Sequence, residues 1–342
     1  MQALKALIAA SALSTFAQSP PAAFDAAKAS DADLATYRIP PRPSDSKRLA
    51  KWNRIVSHAK QYIEPVLTEY PDIHPGAYQA GGNWSGPVYG NGAASYNSTT
   101  SIAWVEAEWI VPPAVPPQSD PSCAAANYSA INWVGIDGDG YFSPDIDALW
   151  QAGTMGIAYK GTCEQVYFFF MAFWPGATGG PSNLPVTVGD VVFVYLSSTG
   201  ATSGEVFLLN ETTGKYTTLS ANAPTSGCVV STKAAPCALV GSSAEWIMEE
   251  VMLGGSITSF ADYVLDYWST AYAGDFAGDI FTAADAQWLN YGSQPMSCGT
   301  NCTSWGAVAS SPVVLAPWED MILFQSQAFP GQFCGDPVKC PW

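Results

Sequence analysis

From Ile131 to Gly153 the chain reads INWVGIDGDGYFSPDIDALWQAG, and this stretch constrains the fold more than any other. Asn132, Val134 and Ile136 alternate with Ile131, Trp133 and Gly135. Gly138 and Gly140 then break the run, and an extended apolar pattern resumes from Ala148 to Ala152. Period-two alternation, a glycine-punctuated acidic loop and a second apolar run describe strand, loop, strand. Successive strand side chains point to opposite faces, so Leu149, Gln151 and Gly153 share one face and Ala148, Trp150 and Ala152 the other. Gln151, the polar interruption, therefore sits on a small-residue face open to a substrate backbone; an ordinary half-buried strand glutamine fits the same pattern. In a second strand-like run, Ser243 to Val251, residues Glu245, Ile247, Glu249 and Val251 fall on one face.

From about Gly76 onward the rest of the chain repeats this theme. Ile102 to Val111 alternates before Pro112 and Pro113, and Glu205 to Asn210 and Lys215 to Leu219 flank Glu211-Thr212-Thr213-Gly214, which has the character of a hairpin turn. Aromatic residues make up 13% and charged residues only 12%, with 30 Gly and 26 Pro, a balance that favours a β-rich extracellular domain. With no internal repeat to suggest a propeller or solenoid, the expected fold is all-β, an antiparallel two-sheet β-sandwich. At 342 residues the chain holds one large β domain or two ordinary ones.

The N-terminal section differs in kind. Residues 1–17 carry one Lys, a short apolar segment and small residues, the pattern of a secretory signal peptide. Residues 18–43, rich in Ala, Ser, Asp and Pro, predict little fixed structure. Ser46 then serves as an N-cap, and Leu49, Trp52, Val56, Ala59 and Ile63 recur at helical spacing toward Pro65. Lys47, Arg48, Lys51, Arg54, His58 and Lys60 occupy the other faces. The first 75 residues hold nine bases and seven acids, net +2; the remainder holds four bases and 22 acids, net −18. So acidic a remainder repels nucleic acid. Residues 18–75 are accordingly expected to be a propeptide whose positive helix lies over an acidic cleft, with acid weakening that attraction; a solvated helix face is the alternative.

Both histidines, His58 and His74, lie in the N-terminal section. Once that section is removed, Ser-His and Cys-His nucleophile pairs and His-based zinc sites are excluded, and acid-base chemistry falls to carboxylates. No apolar run is long enough to span a bilayer. Eight cysteines behind an export signal suggest disulfides, with Cys123–Cys163, Cys228–Cys237, Cys298–Cys302 and Cys334–Cys340 preferred among about 105 pairings.

Three motifs resemble the glutamic peptidase (eqolisin) family: Asn83-Trp84-Ser85-Gly86, Trp133-Val134-Gly135-Ile136-Asp137-Gly138 followed by the Gln151 strand, and Ala244-Glu245-Trp246-Ile247-Met248-Glu249. The resemblance implies a concanavalin-like jelly-roll sandwich at residues 76–342 and a secreted acid endopeptidase made as a proenzyme. It implies further that Glu249 acts as general base and Gln151 as oxyanion donor, with Trp84, Gly86, Trp133 and Asp137 at the substrate. Neither cofactor nor metal is implied. The expected partners are polypeptide substrates and the protein's own propeptide as intramolecular inhibitor, on a monomer free of nucleic acid and membrane. Glu250 adjoins Glu249 but points to the opposite face. The run Phe168 to Pro175 departs from the family pattern, with Ala172 where the family carries a Glu.

Two other readings stay open. A β-sandwich glycosidase would use Glu106 and Glu108, or Glu245 and Glu249, yet carboxylates two or four residues along one strand lie roughly 7 or 13 Å apart by rise, neither well placed. A non-enzymatic sugar-binding sandwich is the second. The acidic loop at Asp137, Asp139, Asp145 and Asp147 fails the EF-hand ligand pattern.

Overall fold

Period-two alternation resolves into two stacked antiparallel sheets with a third layer on one side. The computed structural model describes residues 13–14, 18–75, 84–91, 93, 95–138, 148–230, 233–262, 265–289, 310–315 and 320–325. The N-terminal elements are α1 (Asp31–Thr36), α2 (Ser46–His58), β1 (Leu67–Glu69) and β2 (Ile73–His74). The strands that follow are β3 (Trp84–Gly90), β4 (Ile102–Ile110), β5 (Tyr128–Ile136), β6 (Leu149–Ala158), β7 (Gln165–Trp174) and β8 (Thr178–Pro181). After them come β9 (Val191–Gly200), β10 (Ser203–Asn210), β11 (Lys215–Asn222), β12 (Ser243–Glu249), β13 (Met252–Leu253) and β14 (Leu265–Asp275).

The back sheet runs β11-β10-β9-β4-β14 and continues through Asp320–Gln325 to Ser310–Leu315. The front sheet runs from Gln287–Leu289 through β3-β12-β5-β6-β7-β8 to β1. A small third sheet joins β2 to β13 and Ser256–Ile257. The expected two-sheet sandwich is therefore present, and the hairpin read at 211–214 joins β10 to β11, with Gly214 at φ +70° and its N–H donating to the Asn210 carbonyl at 2.8 Å.

Between the sheets, inward positions such as Val105, Trp109, Val134, Trp150, Trp246 and Trp268 form one buried cluster. Each fully buried aliphatic or phenyl side chain there contributes about 1.5–3 kcal/mol. Buried indoles need partners for their N–H groups. Trp109 donates to Thr154 Oγ1 at 2.9 Å, Trp246 to the Glu106 carbonyl at 3.0 Å and Trp150 to the Ser197 carbonyl at 3.1 Å, which ties the sheets together. The disulfides Cys123–Cys163 and Cys228–Cys237 are as expected. The first closes a separation of 40 residues, a loop worth about 4 kcal/mol in the chain-entropy account. Cys298–Cys302 and Cys334–Cys340 lie outside the described residues, as do Asn83, Asp139, Asp145, Asp147 and the expected junction after residue 75.

The N-terminal region departs from expectation in four respects. Residues 18–43 are ordered: Ser30 Oγ caps α1, and Ala26, Leu34 and Ile39 are buried with Trp52, Ile55 and Val56 of α2. Averaged composition hides these few apolar positions, which suffice because a sheet face receives them. The cap of α2 is Asp45, not Ser46, its carboxylate accepting from the Arg48 N–H at 2.8 Å. The helix also stops at His58, short of Pro65, because the Gly214 carbonyl captures the N–H groups of Lys60 and Gln61 and the Tyr216 carbonyl that of Ile63.

The helix does not lie over the Gln151 face. It packs on the outer side of the back sheet, against Phe193, Phe207, Leu209 and Tyr216. Arg48 pairs there with Glu106 at 3.0 Å, Arg54 with Glu108 and with Glu211 at 3.0 Å, and His58 Nδ1 meets Glu211 at 2.6 Å. Charge attraction exists as expected, but the acids that answer the helix belong to the opposite sheet.

Candidate active site

The outer face of the front sheet carries the candidate residues. Gln151 on β6 stands in register with Gly135 of β5 on one side and Ala172 of β7 on the other. These in-register neighbours are small, but Trp133, Leu149 and Glu245 reach into the space beside Gly135 and the Gln151 side chain is fully buried, with neither its oxygen nor its nitrogen hydrogen-bonded among the described residues. Leaving a buried polar group unpaired costs about 1–3 kcal/mol, a strain that a bound substrate or water would relieve.

Glu249 closes β12, opposite Trp84 of β3 and Ile131 of β5. Its Oε2 accepts the Trp133 indole N–H at 2.7 Å, and the Trp84 ring meets the Trp133 ring edge-on at 4.8 Å. Trp84 and Trp133 thus form an aromatic wall beside the carboxylate. Glu250 turns elsewhere, its Oε1 accepting from the Phe260 N–H at 3.1 Å. Glu245 shares its row with Gln151, the two flanking Gly135; Glu245 Oε2 lies 3.1 Å from where a Cβ on residue 135 would stand.

Two of the residues expected at the substrate make close contacts inside the protein. Both Asp137 oxygens are engaged inside the protein, accepting from the N–H groups of Val240 and Gly241 and from the N–H and hydroxyl of Ser242, all at 2.7–2.8 Å. It braces the end of β5 against the approach to β12. Burial nevertheless raises its pKa, and the four bonds only partly oppose this. Gly86 also acts through backbone: a Cβ there would stand 2.0 Å from the Trp246 carbonyl oxygen, so glycine lets β3 close on β12. Of the glycosidase pairs, Glu106 and Glu108 sit beneath α2 on the back sheet, away from this face.

One polar network escaped sequence reading. Asp266 of β14 accepts from Asn132 Nδ2 at 2.9 Å and from Trp268 Nε1 at 2.5 Å, joining the sheets directly behind Trp133. Burial pushes the Asp266 carboxyl up to about 7. The period-two pattern places Asn132 on the core face, a signal that a buried partner was required.

The face is covered. β1 pairs antiparallel with β8, matching Glu69 to Gly179, and the Tyr70 N–H donates to the Thr178 carbonyl at 2.8 Å. After a turn closed by the Ile73 N–H on the Tyr70 carbonyl at 3.0 Å, β2 pairs with β13, which follows β12 after only Glu250 and Val251. Residues 67–74 therefore run as a strap from the β8 edge of the front sheet to the strand that follows β12, across the Gln151 face. Ile73 is buried in one cluster with Trp84, Trp133, Phe170 and Ile247; the Tyr70 ring lies 4.5 Å from that of Phe168 and the His74 ring 6.2 Å from that of Trp174.

With this geometry in place, comparison with known proteins gives a consistent result. The model of the Peptidase A4 family matches residues 82–311. Aspergillopepsin-2 of Aspergillus niger is 29% identical over 146 residues, 43% of this chain and 44% of that protein, so the match spans less than half of that relative's length. The crystal structure of scytalido-glutamic peptidase with a transition state analog inhibitor aligns at a TM-score of 0.50 and 19% identity, covering 71% of this chain and 98% of that one, a likeness of fold. Aspergilloglutamic peptidase from Aspergillus niger aligns at 0.44 and 24% identity, over 58% and 99% of the two chains.

Proposed function

The chain belongs to the Peptidase A4 family, the glutamic peptidases, and on that premise we propose that it is a secreted, acid-acting endopeptidase made as a proenzyme. The observation that carries this reading is the placement, on one face of the front sheet, of a Gln151 amide without a described partner and a Glu249 carboxylate oriented by Trp133. Glu249 takes a proton from a water whose oxygen attacks the scissile carbonyl carbon. The Gln151 side-chain N–H donates to the developing oxyanion, and Glu249 then returns the proton to the departing amine as the C–N bond breaks. No covalent enzyme intermediate is required, in keeping with the lack of histidine after residue 74.

Two features support the proenzyme reading. Residues 18–62 grip the back sheet, and residues 67–74 cross the Gln151 face, so substrate gains access once the strap leaves. The disulfides fit an oxidising, extracellular destination. The test is digestion of an unfolded protein substrate by the acid-treated full-length chain, alongside Glu249→Gln and Gln151→Ala. Loss of an oxyanion donor is expected to cost about 100- to 1,000-fold in rate, and loss of the base at least as much. A folded Glu249→Gln protein that cleaves as fast as wild type would remove Glu249 from the mechanism.

A further inference from the structure

The strap fills places that a peptide substrate would take. Ile73 is its most deeply set side chain, 6% exposed, and Trp84, Trp133 and Ile247 of its cluster belong to the strands that carry and flank Glu249. Tyr70 rests on Phe168 of β7, three strands from β12 in the front sheet. The hydrogen bond from the Ile73 N–H to the Tyr70 carbonyl closes a β-turn, which holds their Cα atoms within about 7 Å. An extended peptide covers that distance in two residues.

We infer that the hollow occupied by Ile73 is a side-chain subsite selecting an aliphatic residue of an extended peptide, with a second recess at Phe168 selecting an aromatic residue two positions away. This rests on the endopeptidase reading and specifies its substrate class. Polarity supports it: the buried cluster that holds Ile73 is made of apolar side chains, Trp84, Trp133, Phe170 and Ile247 among them, so a charged side chain there loses its hydration without a partner, at severe cost. Aromatic rings at 4.5 Å favour a planar apolar side chain over an aliphatic one at the second recess.

Two measurements on the full-length chain test it, and they fail separately. In the first, acid-treated protein cuts a proteome-derived peptide library, and Ile, Val or Leu is expected to be enriched at one position, with Phe, Tyr or Trp two positions from it. Cleavage without aliphatic enrichment overturns the subsite. In the second, hydrogen exchange of residues 67–74 is followed without any need for activity. Ile73→Val and Ile73→Leu should keep wild-type protection, whereas Ile73→Asp and Ile73→Lys should exchange at least tenfold faster. Unchanged protection in Ile73→Asp overturns the subsite even if the library is cut. An uncut library together with the expected exchange pattern keeps the subsite and overturns the peptidase reading instead.

Discussion

The indole N–H of Trp133 and Oε2 of Glu249 meet at 2.7 Å, two fully buried groups from neighbouring strands. The bond fixes the carboxylate in one orientation while the Trp84 ring closes the side. Trp133→Phe keeps most of the packing and removes the donor. A buried carboxylate deprived of a hydrogen bond loses about 1–3 kcal/mol. We expect both a lower unfolding temperature and a fall of roughly 10-fold or more in kcat/KM, measured by calorimetry and peptide hydrolysis. A variant that loses stability alone would make Trp133 a packing residue.

Asp266 makes the fold acid-adapted. Its folded pKa of about 7 stands above the ordinary 3.8, so its contribution to stability is fully present below that ordinary value and is lost as pH rises through the folded one. Asn132 and Trp268, the side chains bonded to it, carry no compensating charge. About three pKa units correspond to about 4 kcal/mol lost between pH 4 and pH 7. Asp266→Asn should flatten this slope in denaturant titrations across that range, and Asn132 can turn its amide to meet the new group, because Asn132 Oδ1 has no partner among the described residues. An unchanged slope would assign the pH dependence to other groups.

Acid should hold α2 in place. Burial raises Glu106 above the ordinary 4.5 despite Arg48, and burial together with the neighbouring Glu108 pushes Glu211 up to about 9. Glu108 moves the other way: burial opposes, but hydrogen bonds from Glu211, Arg54 and Ser269 lower it. Burial, to which α2 adds by covering these carboxylates, favours the protonated, docked state in acid, while Arg48 and Arg54 of the same helix pull the other way. Where burial outweighs them, the sign runs against the acid release expected from net charge. Hydrogen exchange of α2, corrected for intrinsic rates, should show protection at pH 4 no weaker than at pH 7; selective loss of protection in acid would reverse the conclusion.

Gly86 offers a test of backbone closeness. At φ +147°, with the Trp246 oxygen 2.0 Å from the Cβ position, Gly86→Ala should cost about 3 kcal/mol or more. Gly161, at φ +81° with nothing within 4 Å, is the control: Gly161→Ala should cost about 1–2 kcal/mol. Equal thermal shifts in the two would mean that β3 moves aside freely.

Local pattern carried much of this into the sequence. Period two gave the strands and the face of each residue within its own strand, the family motifs joined Gln151 to Glu249, and a preference for local pairing gave the disulfides Cys123–Cys163 and Cys228–Cys237. What stayed hidden depends on partners distant in the chain. Asp266 meets Asn132 across 134 residues, and no local signal names that pairing. Asp137 matches a motif position, yet its four donors come from residues 240–242, so its bracing part emerges only when β5 and β12 are in register. The strap is too short for any periodicity, and net charge, which points α2 to an acidic cleft, says nothing about where the acids sit.

The third layer also governs how the protein behaves in solution. Phe193, Phe207, Leu209 and Tyr216 form an apolar field on the back sheet that meets α2 and almost no water. Stripped of residues 18–62, the sandwich would show this field to its neighbours, and contiguous apolar surface of that kind drives self-association. The N-terminal layer is thus a built-in solubiliser, and a chain trimmed there should be colloidally fragile even where its cleft is intact.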